Sequence, residues 1–157
     1  MKKQGRTVTK EVKRVCWARS SLGWTKLNTD GSSLGNPGRA GGGDLIRDTH
    51  GGWVKGFTRN IGVATSVEVE LWALRDGLAL CLSLNIPAVE IEIDAKVVFD
   101  WVNNGNTSNL NLSSLIVDCR TLTSRIPQVN LIHCYREANK CADALARKGI
   151  RILSISI

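Results

Sequence analysis

Asp30, Glu70, Asp94 and Asp143 each interrupt a run of apolar or small residues. Asp30 follows Leu27-Asn28-Thr29, Glu70 lies between Val69 and Leu71, Asp94 follows Ile93, and Asp143 sits between Ala142 and Ala144. Each has an ordinary local explanation. Asp30-Gly31 reads as a hairpin corner, Asp94 as the cap of a following helix, and Asp143 as a first-turn acid favoured by the helix dipole. As a set they point elsewhere. Four carboxylates gathered in one place repel and resist ionising. A divalent cation relieves the repulsion, and oxygen ligands without His or Cys suit Mg²⁺ or Mn²⁺. Two such ions about 4 Å apart can activate a water and stabilise the leaving oxygen of a phosphodiester. Sequence spacing does not by itself bring the four acids together; the fold must.

The elements that would position them can be read in order. Trp24 to Thr29 alternates as a strand, with Leu27 on one side and Asn28 and Asp30 on the other. Gly35 to Gly43 reads as a glycine-rich connection, without the spacing of a nucleotide-binding loop. Leu45–Asp48 and Trp53–Phe57 read as strands joined by a His50-Gly51-Gly52 turn, which gives an antiparallel meander. Leu71, Leu74, Leu78 and Leu82 then mark a helix that starts near Ser66, with Thr65 and Glu68 as a capping box. Val89, Ile91 and Ile93 form a fourth strand, with Glu90, Glu92 and Asp94 opposite. Helices follow at about Lys96–Val102 and around Leu112–Leu122, then a strand from Gln128 to Tyr135 and a last helix from Ala138 to Lys148, stopped by Gly149. The order βββαβααβα predicts an α/β domain whose sheet is mixed, with parallel pairing late in the chain.

Composition sets the bounds. The 157 residues suffice for one domain with a real core, and no 18-residue apolar run is present. The five cysteines are scattered, with no Cys-x-x-Cys pair, which fits reduced thiols in a nuclear or cytoplasmic protein and not a secreted one. The net charge of +7 is concentrated: residues 1–19 hold seven basic groups against Glu11 alone. Residues 1–23 therefore read as a basic leader or linker, solvated or drawn to phosphate, ahead of a near-neutral domain over 24–149 and an extension over 150–157.

Four stretches in order, NTDGSSLGNPG, VELWALRDGL, EIDAKVV and YREANKCADALARKG, resemble the type 1 ribonuclease H domain. The form is that of plant retrotransposon-derived proteins, with KLNTDGS and REANKCADALA signatures, and the resemblance covers about residues 24–149. It implies the ribonuclease H-like fold, a mixed five-stranded sheet flanked by helices with the first and fourth strands adjacent. It further implies a monomer that hydrolyses the RNA strand of an RNA–DNA hybrid. On this resemblance Asp30 bridges two Mg²⁺ (or Mn²⁺) ions, Asp94 and Asp143 complete one metal's site, and Glu70 serves the other near a ribose 2′-hydroxyl. Gly31, Ser32, Ser33, Asn36 and Ser66 would face the hybrid's minor groove, where the 2′-hydroxyl marks RNA.

Several positions depart from the family. Ser66 and Val67 stand where bacterial members carry two asparagines, Ala95 replaces a usual serine, and Asp44 occupies a place commonly small and apolar. Asn103–Ser114 is short and without Lys or Arg, so the basic handle of some bacterial members is missing. His133 has the spacing of the family's mobile histidine but lies in the strand-like run VNLIHCYRE, and it reads as a strand residue. Trp53, Trp72 and Trp101 read as core residues and His50 as a turn residue. Two other readings stay open: a domesticated nucleic-acid-binding module with weak or no nuclease activity, and an integrase- or exonuclease-like member of the same fold superfamily.

Overall fold

The computed structural model describes residues 16–105 and 111–152. Its elements are β1 (Thr25–Gly35), β2 (Gly38–Arg47), β3 (Trp53–Ala64), α1 (Ser66–Ser83), β4 (Ala88–Ile93), α2 (Lys96–Asn104), α3 (Ser113–Arg125), β5 (Gln128–His133) and α4 (Lys140–Arg151), with a 3-10 turn over Arg136–Ala138. The five strands form one sheet in the order β3-β2-β1-β4-β5. β1 pairs antiparallel with β2 and parallel with β4, which places Asp30 opposite Gly43 and sets Thr29 beside Ile93, one residue before Asp94. The mixed sheet and the adjacency of β1 and β4 agree with the sequence reading.

The first meander differs from that reading. Asp30-Gly31 is not a turn; both lie within β1, and the glycine-rich connection is strand β2. The glycines answer to a distant helix. A Cβ on Gly41 or Gly43 would collide with backbone of α4 near Ala142 and Ala146, and one on Gly149 with the Arg59 carbonyl. Glycine in a strand here marks close backbone approach, and only glycine lets α4 lie flat on β2. Gly149 therefore continues α4 instead of stopping it. β5 ends at His133 and not Tyr135, because the chain turns there into the 3-10 segment. The turn at His50–Gly52 is as expected, closed by the Gly51 amide donating to the Asp48 carbonyl.

One face of the sheet makes the core. Leu27, Val89, Ile91 and Ile93 pack with Leu71, Leu74 and Leu78 of α1 and Ile116 of α3, all at most 2% exposed. The capping box forms as expected, with the Glu68 amide donating to Thr65 Oγ1 at 3.1 Å and the Thr65 amide to Glu68 Oε1 at 3.1 Å. Trp72 and Trp101 pack on this core. Trp53 does not: at the open start of the edge strand β3 it is 62% exposed, with Arg47 5.9 Å from its ring.

The other face carries α4 and a polar set. Lys26, fully buried, pairs with Glu92 at 2.6 Å and lies 3.9 Å from Glu90. Residues 16–23, which the sequence reading assigned to the leader, lie across this face. Ala18 accepts from Lys26, the Ser21 amide donates to Glu90 at 2.9 Å, and the Trp17 ring covers Arg47 at 4.3 Å. The basic cluster's residues 1–15 and the extension's residues 153–157 lie outside the described residues, while Ile150 and Arg151 belong to α4.

Candidate active site

The ends of β1 and β4 meet the start of α1. Pairing of β1 with β4 brings Asp30 and Asp94 to one end of the sheet on the same face. The capped first turns of α1 set Glu70 against them, and the approach is tight: a Cβ on Gly31 would lie 2.6 Å from the Val69 carbonyl carbon and 2.7 Å from the Glu70 amide nitrogen. Gly31 thus makes room for α1. One carboxylate oxygen each from Asp30, Glu70 and Asp94 lies within 4.8 Å of the others. Asp143 approaches from α4 and bears electrostatically on Asp30 and Asp94, while pairing with Arg147 one turn on at 3.1 Å. Its side chain is 38% exposed, and it stands outside the tight trio among the described residues.

Their electrostatics are those of crowded buried acids. Burial, then repulsion from Asp94, pushes Asp30 from its ordinary 3.8 up to about 8. Burial and repulsion by Asp30 and Asp94 hold Glu70 well above its ordinary value. Burial raises Asp94 too, opposed by a hydrogen bond from Asn139 and by Arg136 nearby. This donor set fits a divalent cation. It is all oxygen, closely spaced, partly shielded from water, and short of positive charge for its own ionised state.

The other expected residues lie along β1, the β1–β2 turn and the start of α1. Asn36 Oδ1 accepts from the Ser66 amide at 3.0 Å and so ties the β1–β2 turn to the start of α1. Ser33 donates to the Ala64 carbonyl at 3.1 Å, and Ser32 is half-buried next to Gly31. His133 is a buried strand residue whose Nε2 lies 3.2 Å from the Asp94 carbonyl, bracing that backbone. Asp44 is fully buried, and neither of its oxygens has a hydrogen-bond partner among the described residues; burial raises it well above the ordinary value. Sequence reasoning missed Asn139. Its Nδ2 donates to the Thr29 carbonyl at 2.9 Å and to Asp94 Oδ2 at 3.3 Å, so it holds both strand ends from the residue just ahead of α4. Its place in REANKCAD, four residues before Asp143, was the available signal.

Residues 28–149, which hold all four acids, match one family, described as reverse transcriptase-like. The chain belongs to this family. Among its relatives, a provisionally named ribonuclease H protein of Arabidopsis thaliana is 37% identical over 142 residues, 90% of this chain and 23% of its own. Ribonuclease HI of Halobacterium salinarum is 30% identical over 122 residues, 77% of this chain and 61% of its own. The chain therefore spans less than two thirds of the length of either relative. The crystal structure of the halophile's ribonuclease H1 superposes with a TM-score of 0.78 at 28% identity, over 81% of this chain and 97% of that one. A ribonuclease H1 crystallised in complex with an RNA/DNA hybrid gives 0.74 at 26% identity, over 81% and 96%. The family member described here thus has the ribonuclease H fold.

Proposed function

We propose that this chain is a metal-dependent nuclease that hydrolyses the RNA strand of RNA–DNA hybrids. The observation that carries the reading is the trio Asp30, Glu70 and Asp94, with one carboxylate oxygen of each within 4.8 Å, in a family member whose fold matches a ribonuclease H1 solved with a hybrid. Asp30, Glu70, Asp94 and, from α4, Asp143 would hold Mg²⁺ or Mn²⁺. When bound, the cations offset the carboxylate charge and supply water activation and stabilisation of the leaving oxygen. The chain's own residues do the rest. Asn139 and His133 fix Asp94 by its side chain and its backbone, and the Thr65–Glu68 box fixes the turn that carries Glu70. Gly31, Ser32, Ser33, Asn36 and Ser66 offer small and polar groups beside the trio, suited to a sugar edge. One copy of the chain carries all four acids, which favours action as a monomer. Five free cysteines favour a nuclear or cytoplasmic setting.

The test is a substrate panel. In Mg²⁺, labelled RNA–DNA hybrid is cut in its RNA strand, RNA and DNA duplexes are spared, and Asp94→Asn is inert. Equal cleavage by the parent and Asp94→Asn overturns the reading. Hybrid binding without turnover supports instead the binding-module alternative, which the missing basic handle and Ser66-Val67 favour.

A further inference from the structure

A line of hydrogen bonds runs to Asp94 from outside the family match. The Trp17 indole Nε1 donates to Asn28 Oδ1 at 3.2 Å, Asn28 Nδ2 donates to Asn139 Oδ1 at 3.0 Å, and Asn139 Nδ2 donates to Asp94 Oδ2 and to the Thr29 carbonyl. Asn28 and Asn139 are each 1% exposed. The line has a direction. An indole N–H can only donate and a backbone carbonyl can only accept, so the two ends decide which way each amide points. With Asn28 Oδ1 taken by the indole, its NH₂ must face Asn139. Asn139 then has its oxygen occupied and turns its own NH₂ to Asp94. The opposite arrangement would aim an oxygen at the carboxylate. Trp17 is itself held, with Arg47 4.3 Å and Lys26 5.2 Å from its ring.

We infer that Trp17 and Asn28 are positioning residues for the Asp94 carboxylate, acting through Asn139, so that the segment ahead of β1 sets the affinity of the site for its cation. This rests on the reading of the carboxylates as a cation site. Groups that orient a metal's ligands are worth about 10- to 100-fold in affinity. The segment therefore acts as part of the site and not as a passive leader.

The experiment titrates the full chain with Mn²⁺ alone by calorimetry, well below each variant's melting temperature, and records metal-free melting beside it. Asn28→Leu, which removes both amide contacts, should bind Mn²⁺ about tenfold or more weakly. Trp17→Phe keeps a ring over Arg47 but loses the N–H, and should bind about two- to tenfold more weakly. It should also shift the Asn28 and Asn139 side-chain NH₂ resonances of the metal-free protein. A purely structural role would lower melting and leave Mn²⁺ affinity at the parent value, and that result overturns the inference. If Asn28→Leu does not fold, Trp17→Phe decides. Asp94→Asn separates the two claims. If it loses Mn²⁺ while Trp17→Phe binds like the parent, the inference fails and the site stands. If it binds like the parent, the site reading fails and the inference with it.

Discussion

The two faces of β1 and β4 show the same backbone put to opposite uses. Toward α1 and α3, Leu27, Val89, Ile91 and Ile93 are all but sealed in apolar contact. Toward α4 and the 16–23 segment, Lys26, Asn28, Asp30, Glu90 and Glu92 are nearly as buried, yet every one is polar. Apolar burial contributes stability roughly in proportion to area and requires no particular direction. Buried polar groups contribute direction, and they stabilise only while each is matched. One face holds the sheet together, while the other fixes where its charges sit.

Three perturbations bear on that division, beginning with the largest. Lys26→Met removes the only cation within ion-pair distance of Glu92 and Glu90 among the described residues. Leaving such buried charges unmatched should cost about 3–5 kcal/mol in urea unfolding, and adding Glu92→Leu should recover most of it. An unchanged midpoint for the single variant would mean the polar face is not matched as described. Leu78→Ala, in the core of α1, should cost about 2–5 kcal/mol by the same measurement. Its hybrid cleavage per folded molecule should stay near the parent's, because Leu78 touches the apolar face alone. A large loss of cleavage there would erase the distinction between the faces.

The third effect is one of pH. Asp30 is raised from 3.8 to about 8, so between those values the folded chain binds more protons than the unfolded one. Stability of the metal-free protein should therefore fall as pH rises from about 4 to about 8, with Glu70, Asp94 and Asp44 acting in the same sense. Between pH 5 and 8 the metal-free melting temperature should drop by about 10 °C, and Mg²⁺ should restore part of it at the upper end. A metal-free melting temperature that rises over this range would contradict the crowding of these acids.

The order of elements and the apolar face were legible because both rest on periodicity. Leu71, Leu74 and Leu78 fall one helical turn apart, and Val89, Ile91 and Ile93 alternate. The glycines of β2 were not legible, since the reason for Gly41 and Gly43 is a helix a hundred residues on, and local chemistry reads such a run as a turn. Asp30 was misread locally for the same cause: Asp-Gly signals a corner unless a longer sheet overrides it. The four acids were visible as a set, through motif order and not through spacing, and the tightness of three with Asp143 outside them needed coordinates. Trp17 left no trace, because it sits in no periodic pattern. Asn28 left a faint one, as a polar residue on the same side of β1 as Asp30.

The central claim is that crowded carboxylates at the meeting of β1, β4 and α1 are there to bind cations that cut RNA. Single-turnover cleavage of a hybrid with its two strands separately labelled, in saturating Mn²⁺, tests it for the parent and Asp30→Asn. The account predicts that the parent cuts the RNA strand alone and that Asp30→Asn is slower by about a thousandfold or more, the loss of roughly 4 kcal/mol of barrier lowering. Comparable rates from the two proteins would contradict it.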